Sequence, residues 1–214
     1  VLIGKHYGAE TKGDNWRFCA GHDCVEGLPL PALAGDFQLA NAATSIMALK
    51  SLPGMSISHE ALERGLQQVS LPGRFQLIMR QPEVVVDVAH NAQAAASLAA
   101  QLQARYCAGK TYAIVAMFAD KPVSDVLGLL SAEVDHWYTA GLDTVARGLG
   151  AADMATAVER QVSDVKLSAA PTVSAACELA LAAADKNDRI VVFGSFYTVA
   201  EATRFFTHQH QQLQ

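Results

Sequence analysis

The 214 residues contain no G-x-x-x-x-G-K-[ST] segment, no G-x-S-x-G elbow and no H-E-x-x-H pair. Those absences exclude, within this stretch of chain, a self-contained phosphate loop, an α/β-hydrolase nucleophile and a helical zinc-protease site. No run of about 18 apolar residues occurs, so no membrane span is expected. The opening VLIGKHYGAE lacks the basic start, long apolar core and small-residue cleavage site of a signal peptide. Lys and Arg number 16 against 21 Asp and Glu, for a net charge of -5, and they are scattered. Stable nucleic-acid binding needs clustered cations, so no such partner is expected. No obvious association stripe appears, and a cytoplasmic monomer is the expectation. There is no initiator Met. The first residues read as a strand already under way, which gives the expectation of a fragment of a longer protein.

Cysteine is scarce: Cys19, Cys24, Cys107 and Cys177. With nothing pointing to secretion, reduced thiols are expected. Cys19, His22 and Cys24 lie close in sequence, but a structural zinc site takes four ligands, often as two spaced pairs. No second pair follows, so a loop between two short strands is the better reading.

What the chain has in abundance is apolar surface. Hydrophobic residues make up 51% and charged residues 17%, enough for a sizeable core. Residues 1–30 read as short strands and turns, with Trp16–Phe18 a strand and Gly8, Gly13-Asp14 and Gly21–Asp23 turns or loop. Helices are expected over Phe37–Leu49 and His59–Gln68, with Ser58 as N-cap. After the break Leu71-Pro-Gly-Arg74 the pattern changes. Strands are expected over Phe75–Met79, Val84–Val88, Thr111–Met117, Asp135–Ala140, Val165–Ser168 and Arg189–Gly194. Helices are expected over Asn91–Tyr106, Val123–Ser131, Ala151–Arg160, Val173–Asp185 and Tyr197–Thr207, with a frayed end from His208.

Strands alternating with helices imply βαβ units, and the unbroken runs VVVDV, YAIVAM and IVVFG suit strands buried on both faces. The expected fold class is α/β. Residues 71–214 form a Rossmann-like, doubly wound, mostly parallel sheet, and residues 1–70 are the tail of another domain.

In such a sheet ligands bind beyond the carboxyl ends of the strands. One strand-to-helix junction there is Asp87-Val-Ala-His90-Asn91. Asp87 suits ribose hydroxyls, His90 a phosphate or carboxylate, and Asn91 a helix cap. The alternative is that Asp87 and Asn91 merely satisfy backbone groups at the turn. A second junction is Gly194-Ser195-Phe-Tyr-Thr198, where Ser195 either holds a ligand carboxylate or is a plain N-cap. Arg74, at the boundary, suits a phosphate clamp or a surface ion pair. Asn41, among alanines in its helix, faces a ligand such as an adenine edge, or solvent. Asp120-Lys121 is a polar pair on the same sheet edge, a solvated loop unless an anion meets it. Gly148–Asp153 resembles a dinucleotide fingerprint only weakly, with Asp in place of the third Gly.

Taken in order, LPLPALAGDFQLANAATSIMAL (28–49), LPGRFQ (71–76), VVVDVAHNAQAAASLAAQL (84–102), VAMFADKPVSDVL (115–127), TAGLD (139–143) and VVFGSFYTVAEA (191–202) resemble the bifunctional dihydrofolate synthase/folylpolyglutamate synthase family, relatives of the Mur peptidoglycan ligases. The resemblance implies an ATP-dependent ligase that adds L-glutamate to dihydropteroate or folate through an acyl phosphate. It implies residues 1–70 as the end of a central ATPase domain and 71–214 as a glutamate-ligase domain. It implies Asn41, Arg74 and Asp87 as ATP contacts, with His90 as catalytic and, with Ser195, near the incoming glutamate. ATP and Mg2+ are the implied cofactors, the metal ligands lying outside this chain. Ala92 stands where Pro is common, and Pro122 where an acidic residue often follows Asp-Lys; neither removes a ligand. The alternatives are a cell-wall Mur ligase and a non-catalytic nucleotide-binding module. A phosphate-loop segment encoded upstream separates the module from the ligases.

Overall fold

A computed structural model describes residues 1–33, 35, 37–142 and 144–212, with side chains through Gln209. It divides into two compact units, Val1–Leu71 and Pro72–Gln214.

In the first unit β1 (Gly8–Lys12), β2 (Asn15–Ala20) and β3 (Asp23–Pro29) form an antiparallel meander. Gly13 and Gly21, with φ of 64° and 61°, supply the positive φ that tight hairpins demand. Gly8, expected in a turn, instead opens β1. Val1–Ile3 forms no strand: Ile3 makes only an isolated bridge to Tyr7, and the apolar run stays exposed. Helices α1 (Phe37–Lys50) and α2 (His59–Gln68) pack Ala43, Ile46 and Leu66 into a core with Trp16, Phe18 and Leu28. Ser58 caps α2 by accepting the Ala61 N–H at 3.2 Å.

The hairpin register sets Cys19 opposite Cys24, with Cα atoms 4.1 Å apart, and the two form a disulfide. This corrects the expectation of four reduced thiols; Cys107 and Cys177 are free. Which cysteines face each other depends on where the turn falls, here between Ala20 and Asp23, and spacing alone does not fix that. Among the described residues no group of three or more His, Cys, Asp or Glu could hold a metal. Nor is any described helix long and apolar enough to cross a membrane.

The second unit is a six-stranded sheet in the order β4 (Gln76–Arg80), β5 (Glu83–Asp87), β9 (Arg189–Phe193), β6 (Thr111–Val115), β7 (His136–Ala140), β8 (Leu167–Ala170). All neighbours are parallel except β4, an antiparallel edge. Alternate residues of each buried strand point to opposite faces. Ala113, Val115, Val191 and Phe193 meet α3 (Ala92–Ala104), α4 (Val123–Leu130) and α5 (Ala151–Gln161). Tyr112, Ile114, Ile190 and Val192 meet α6 (Val173–Ala183) and α7 (Phe196–Gln212). The chain is therefore a doubly wound α/β sheet.

Most boundaries fall within two residues of expectation, and two of the differences are informative. Strand β8 begins at Leu167 because Asp164 takes a φ of 51°, so the chain turns where a strand was expected. Helix α7 runs on through Gln212, past the point where fraying was expected at His208.

The opposite, amino edge of the sheet is latched by a buried guanidinium. Arg189, 3% exposed, donates Nε to Glu83 at 2.9 Å and its other nitrogens to the carbonyls of Leu102 and Arg105. Arg105 donates to the other Glu83 oxygen at 2.7 and 2.6 Å. Burial by itself would raise the Glu83 carboxyl, but the bonds from Arg105 and Arg189 together outweigh it and hold it below its usual range. Such a group contributes stability that is complete above the ordinary glutamate range and is lost as pH falls through the lowered native value. Glu83→Gln should cost about 3 kcal/mol at pH 7 by stranding Arg189. In urea unfolding the gap from wild type should close as pH falls below about 4. A gap that widens in acid would contradict the latch.

Candidate functional site

The chain leaves β5 through α3 on one face of the sheet and β9 through α7 on the other. Since β5 and β9 are neighbours, the two exits splay and open a crevice at their carboxyl ends, where doubly wound sheets bind ligands.

Asp87 closes β5 and is 6% exposed. One carboxylate oxygen accepts the Phe75 N–H and the other the Ala89 N–H, both at 2.8 Å. Burial pushes its carboxyl up from the usual range, against the pull of these two N–H groups and of the Arg74 and His90 charges. The backbone-satisfying reading of Asp87 is thus realised, and each oxygen keeps a lone pair beyond it. Asn91 likewise caps α3, accepting the Ala94 N–H at 2.9 Å.

Arg74 reaches this corner because its neighbours are strapped down. The Val88 N–H donates to the Gly73 carbonyl at 2.8 Å. A Cβ on Gly73 would lie 2.8 Å from Val88 Cγ1, and its φ is 70°. Phe75 has a φ of 40°, which the Asp87 bond to its N–H helps to hold. Among the described residues the Arg74 guanidinium has no ion-pair partner. It is half-buried, acts on the Asp87 charge, and is available to an anion.

His90 donates Nδ1–H to the Val88 carbonyl at 2.7 Å, since a carbonyl only accepts. In the neutral ring that contact sets the proton on Nδ1 and leaves Nε2 as the acceptor.

Ser195 is 2% exposed, and its hydroxyl is committed inside the fold. It accepts the Thr198 N–H at 3.0 Å and meets the Thr198 hydroxyl at 2.7 Å. Thr198 donates to the Ala116 carbonyl at 2.7 Å, so Ser195 supplies the proton between the two hydroxyls. Ser195 is an N-cap, and the junction presents outward the N–H groups of the first turn of α7. Gly194 lets this turn form: its φ is 120°, and a Cβ there would lie 2.4 Å from the Ala116 carbonyl oxygen.

Asn41 belongs to the first unit. It is exposed on α1, donates to Gln38 at 3.1 Å, and lines an apolar groove of about 630 Å³ between α1 and α2. Of the sequence candidates, Arg74, Asp87 and His90 share one corner. Asp120 pairs with Lys121 at 3.1 Å and Arg147 at 3.3 Å on the loops after β6 and β7. Gly148 packs against Leu142 rather than serving a fingerprint loop. Arg147 escaped the sequence reading; its signal is a non-glycine φ of 68°, visible only in the fold.

Residues 73–196 match the family model described as Mur ligase, glutamate ligase domain. This chain belongs to the Mur ligase family. Among curated Mur ligase relatives, the Escherichia coli dihydrofolate synthase/folylpolyglutamate synthase is 35% identical over 186 residues, 87% of this chain and 41% of that protein. The Haemophilus influenzae protein of the same name is 32% identical over 210 residues, 90% of this chain and 47% of its own. Escherichia coli FolC in complex with DHPP and ADP matches with a TM-score of 0.81 and 32% identity, over 97% of this chain and 47% of that one. A bifunctional folylpolyglutamate synthase/dihydrofolate synthase with Mn, AMPPNP and L-glutamate bound matches with a TM-score of 0.75 and 32% identity, over 97% and 47%. The chain thus spans less than half the length of these relatives.

Removing the Ser195 hydroxyl should cost about 1 kcal/mol, the value of an N-cap. Gly194→Ala should cost about 3 kcal/mol through strain and overpacking at Ala116. Thermal unfolding of both variants checks this ranking; a neutral Gly194→Ala would contradict the close approach.

Proposed function

We propose that this chain serves an ATP-dependent ligase that joins L-glutamate to dihydropteroate or to folate polyglutamates through an acyl phosphate. The observation that carries the reading is the corner at the switch point. A guanidinium with no ion-pair partner among the described residues, a buried carboxylate and an imidazole anchored through Nδ1 sit beside two helix N-termini, in a chain of the Mur ligase family. The relatives' names and the ADP, AMPPNP and L-glutamate in their titles support the substrates.

In this reading the first unit is the end of a central ATP-binding domain and the second is the glutamate-ligase domain. Arg74 holds the charge that grows on the phosphoryl oxygens during transfer. Asp87 accepts from ribose hydroxyls with the lone pairs its backbone bonds leave free. His90, through Nε2, orients the incoming amine or takes its proton as the amide forms and phosphate leaves. Ser195 acts by position: its cap aims the free N–H groups of α7 at the glutamate carboxylate. Magnesium is the metal such phosphoryl chemistry calls for, but the described residues offer it no cluster of ligands. No step is assigned to it on this chain. The protein is read as cytoplasmic and monomeric.

Among the described residues Arg74 makes no ion pair and acts on Asp87 only through its charge. Its removal should therefore change stability by less than about 1 kcal/mol and report mainly on ligand. Calorimetry should show ADP binding to the chain, weakened roughly tenfold by Arg74→Ala, the loss expected for one charge-assisted contact. Equal affinity in the variant would sink the clamp. With no phosphate loop among its residues, the chain alone should show no glutamate-dependent ADP release with dihydropteroate. Measurable release would overturn that part of the reading.

A further inference from the structure

A second hollow lies beyond the carboxyl ends of β7 and β8, against α6 and α7. Its volume is about 350 Å³, and Gly141, Thr144, Thr172, Tyr197, Glu201 and Arg204 line it. None of these residues belongs to the Arg74–Asp87–His90 corner.

Among the described lining residues the two charges are opposite and held apart. Glu201 and Arg204 stand three residues apart on α7, on neighbouring positions of one face, yet make no ion pair with each other. Glu201 is fixed by its far side. One oxygen, Oε1, accepts both the N–H and the hydroxyl of Ser174 at 2.8 Å, and Oε2 remains free. The Arg204 side chain is exposed, with no carboxylate partner among the described residues. Thr144, Thr172 and Tyr197 add hydroxyl-bearing side chains to the lining.

The wall is braced from behind. The Tyr197 ring meets Phe118 edge-on, with centroids 5.6 Å apart. The Arg147 guanidinium lies 5.6 Å over that same Phe118 ring and pairs with Asp120. Arg147 holds a φ of 68°, an uncommon conformation for a side chain of this size, and such outliers cluster at ligand sites.

The chemistry selects the occupant. A phosphate or dicarboxylate placed on Arg204 meets the Glu201 charge, and a simple cation on Glu201 meets Arg204. A ligand carrying both signs a few bonds apart satisfies both. The volume stands at the small end of ligand pockets, roughly 300–1,000 Å³, which favours a compact ligand. We propose that this cavity binds a free α-amino acid, its ammonium on Glu201 and its carboxylate on Arg204. Only the choice of L-glutamate as first probe rests on the ligase reading.

The test is titration of the isotope-labelled chain with L-glutamate, L-glutamine and glutarate, followed by amide chemical shifts. The two amino acids should give saturable shifts at Thr144, Thr172 and Ala200, and glutarate, lacking the ammonium, should bind at least tenfold more weakly. Arg204→Ala, at an exposed position, and Glu201→Gln, which keeps the shape, should each weaken L-glutamate at least tenfold while leaving ADP shifts near Arg74 unchanged. No saturable shift at these residues, or binding indifferent to both substitutions, would overturn the proposal. ADP binding with no amino-acid binding here sinks the cavity alone. Amino-acid binding here without ADP binding sinks the nucleotide corner alone.

Discussion

Asp87 ends the first parallel strand of the second unit with both carboxylate oxygens bonded to backbone N–H groups, one before β4 and one on the approach to α3. Bonds to a charged acceptor are worth roughly 1.5–3 kcal/mol each and offset the cost of burying the charge only in part. The raised carboxyl is the signature of that remainder. Since the native value lies above the ordinary aspartate range, this residue's contribution to stability falls as pH rises from that range through the native value. A fold that keeps such a group gains geometry from it. Asp87 fixes Phe75, Phe75 fixes Arg74, and Arg74 is thereby presented at the crevice with no ion-pair partner among the described residues.

Two glycines make this geometry possible. Gly73 lets the strap lie against Val88, and Gly194 lets the turn into α7 lie against Ala116. Both are places where a Cβ would strike a neighbour, and both flank the crevice between β5 and β9. Close backbone approach therefore sets where the helix N-termini point, and the polar side chains are hung on that frame. Ser195 illustrates the division of labour: its hydroxyl is spent within the fold, and the helix it caps is what faces a ligand.

Much of the fold was legible because its signals are local. The runs VVVDV, YAIVAM and IVVFG announced strands covered on both faces, and Ser58 and Asn91 announced helix starts that the hydrogen bonds bear out. What was not legible depends on which segments meet. Insertion of β9 between β5 and β6 is a choice of neighbours that no segment encodes alone, and that choice brings Ser195 beside the β5 exit. The Cys19–Cys24 bond needs the hairpin register, and the late start of β8 needs the turn at Asp164. The junctions at Asp87 and Ser195 were marked by their polar residues. Their capping roles and their ligand roles use the same residue types, so spacing could not separate them. Arg147 and the hollow beside Tyr197 arise from loops after different strands and leave no motif.

The account stands on the corner at the switch point receiving the phosphates of a nucleotide. A crystal structure of the chain with ADP tests this most directly. The account predicts phosphate oxygens within hydrogen-bond distance of the Arg74 guanidinium, at the carboxyl ends of β5 and β9. A nucleotide bound elsewhere, with Arg74 turned to solvent, would contradict it.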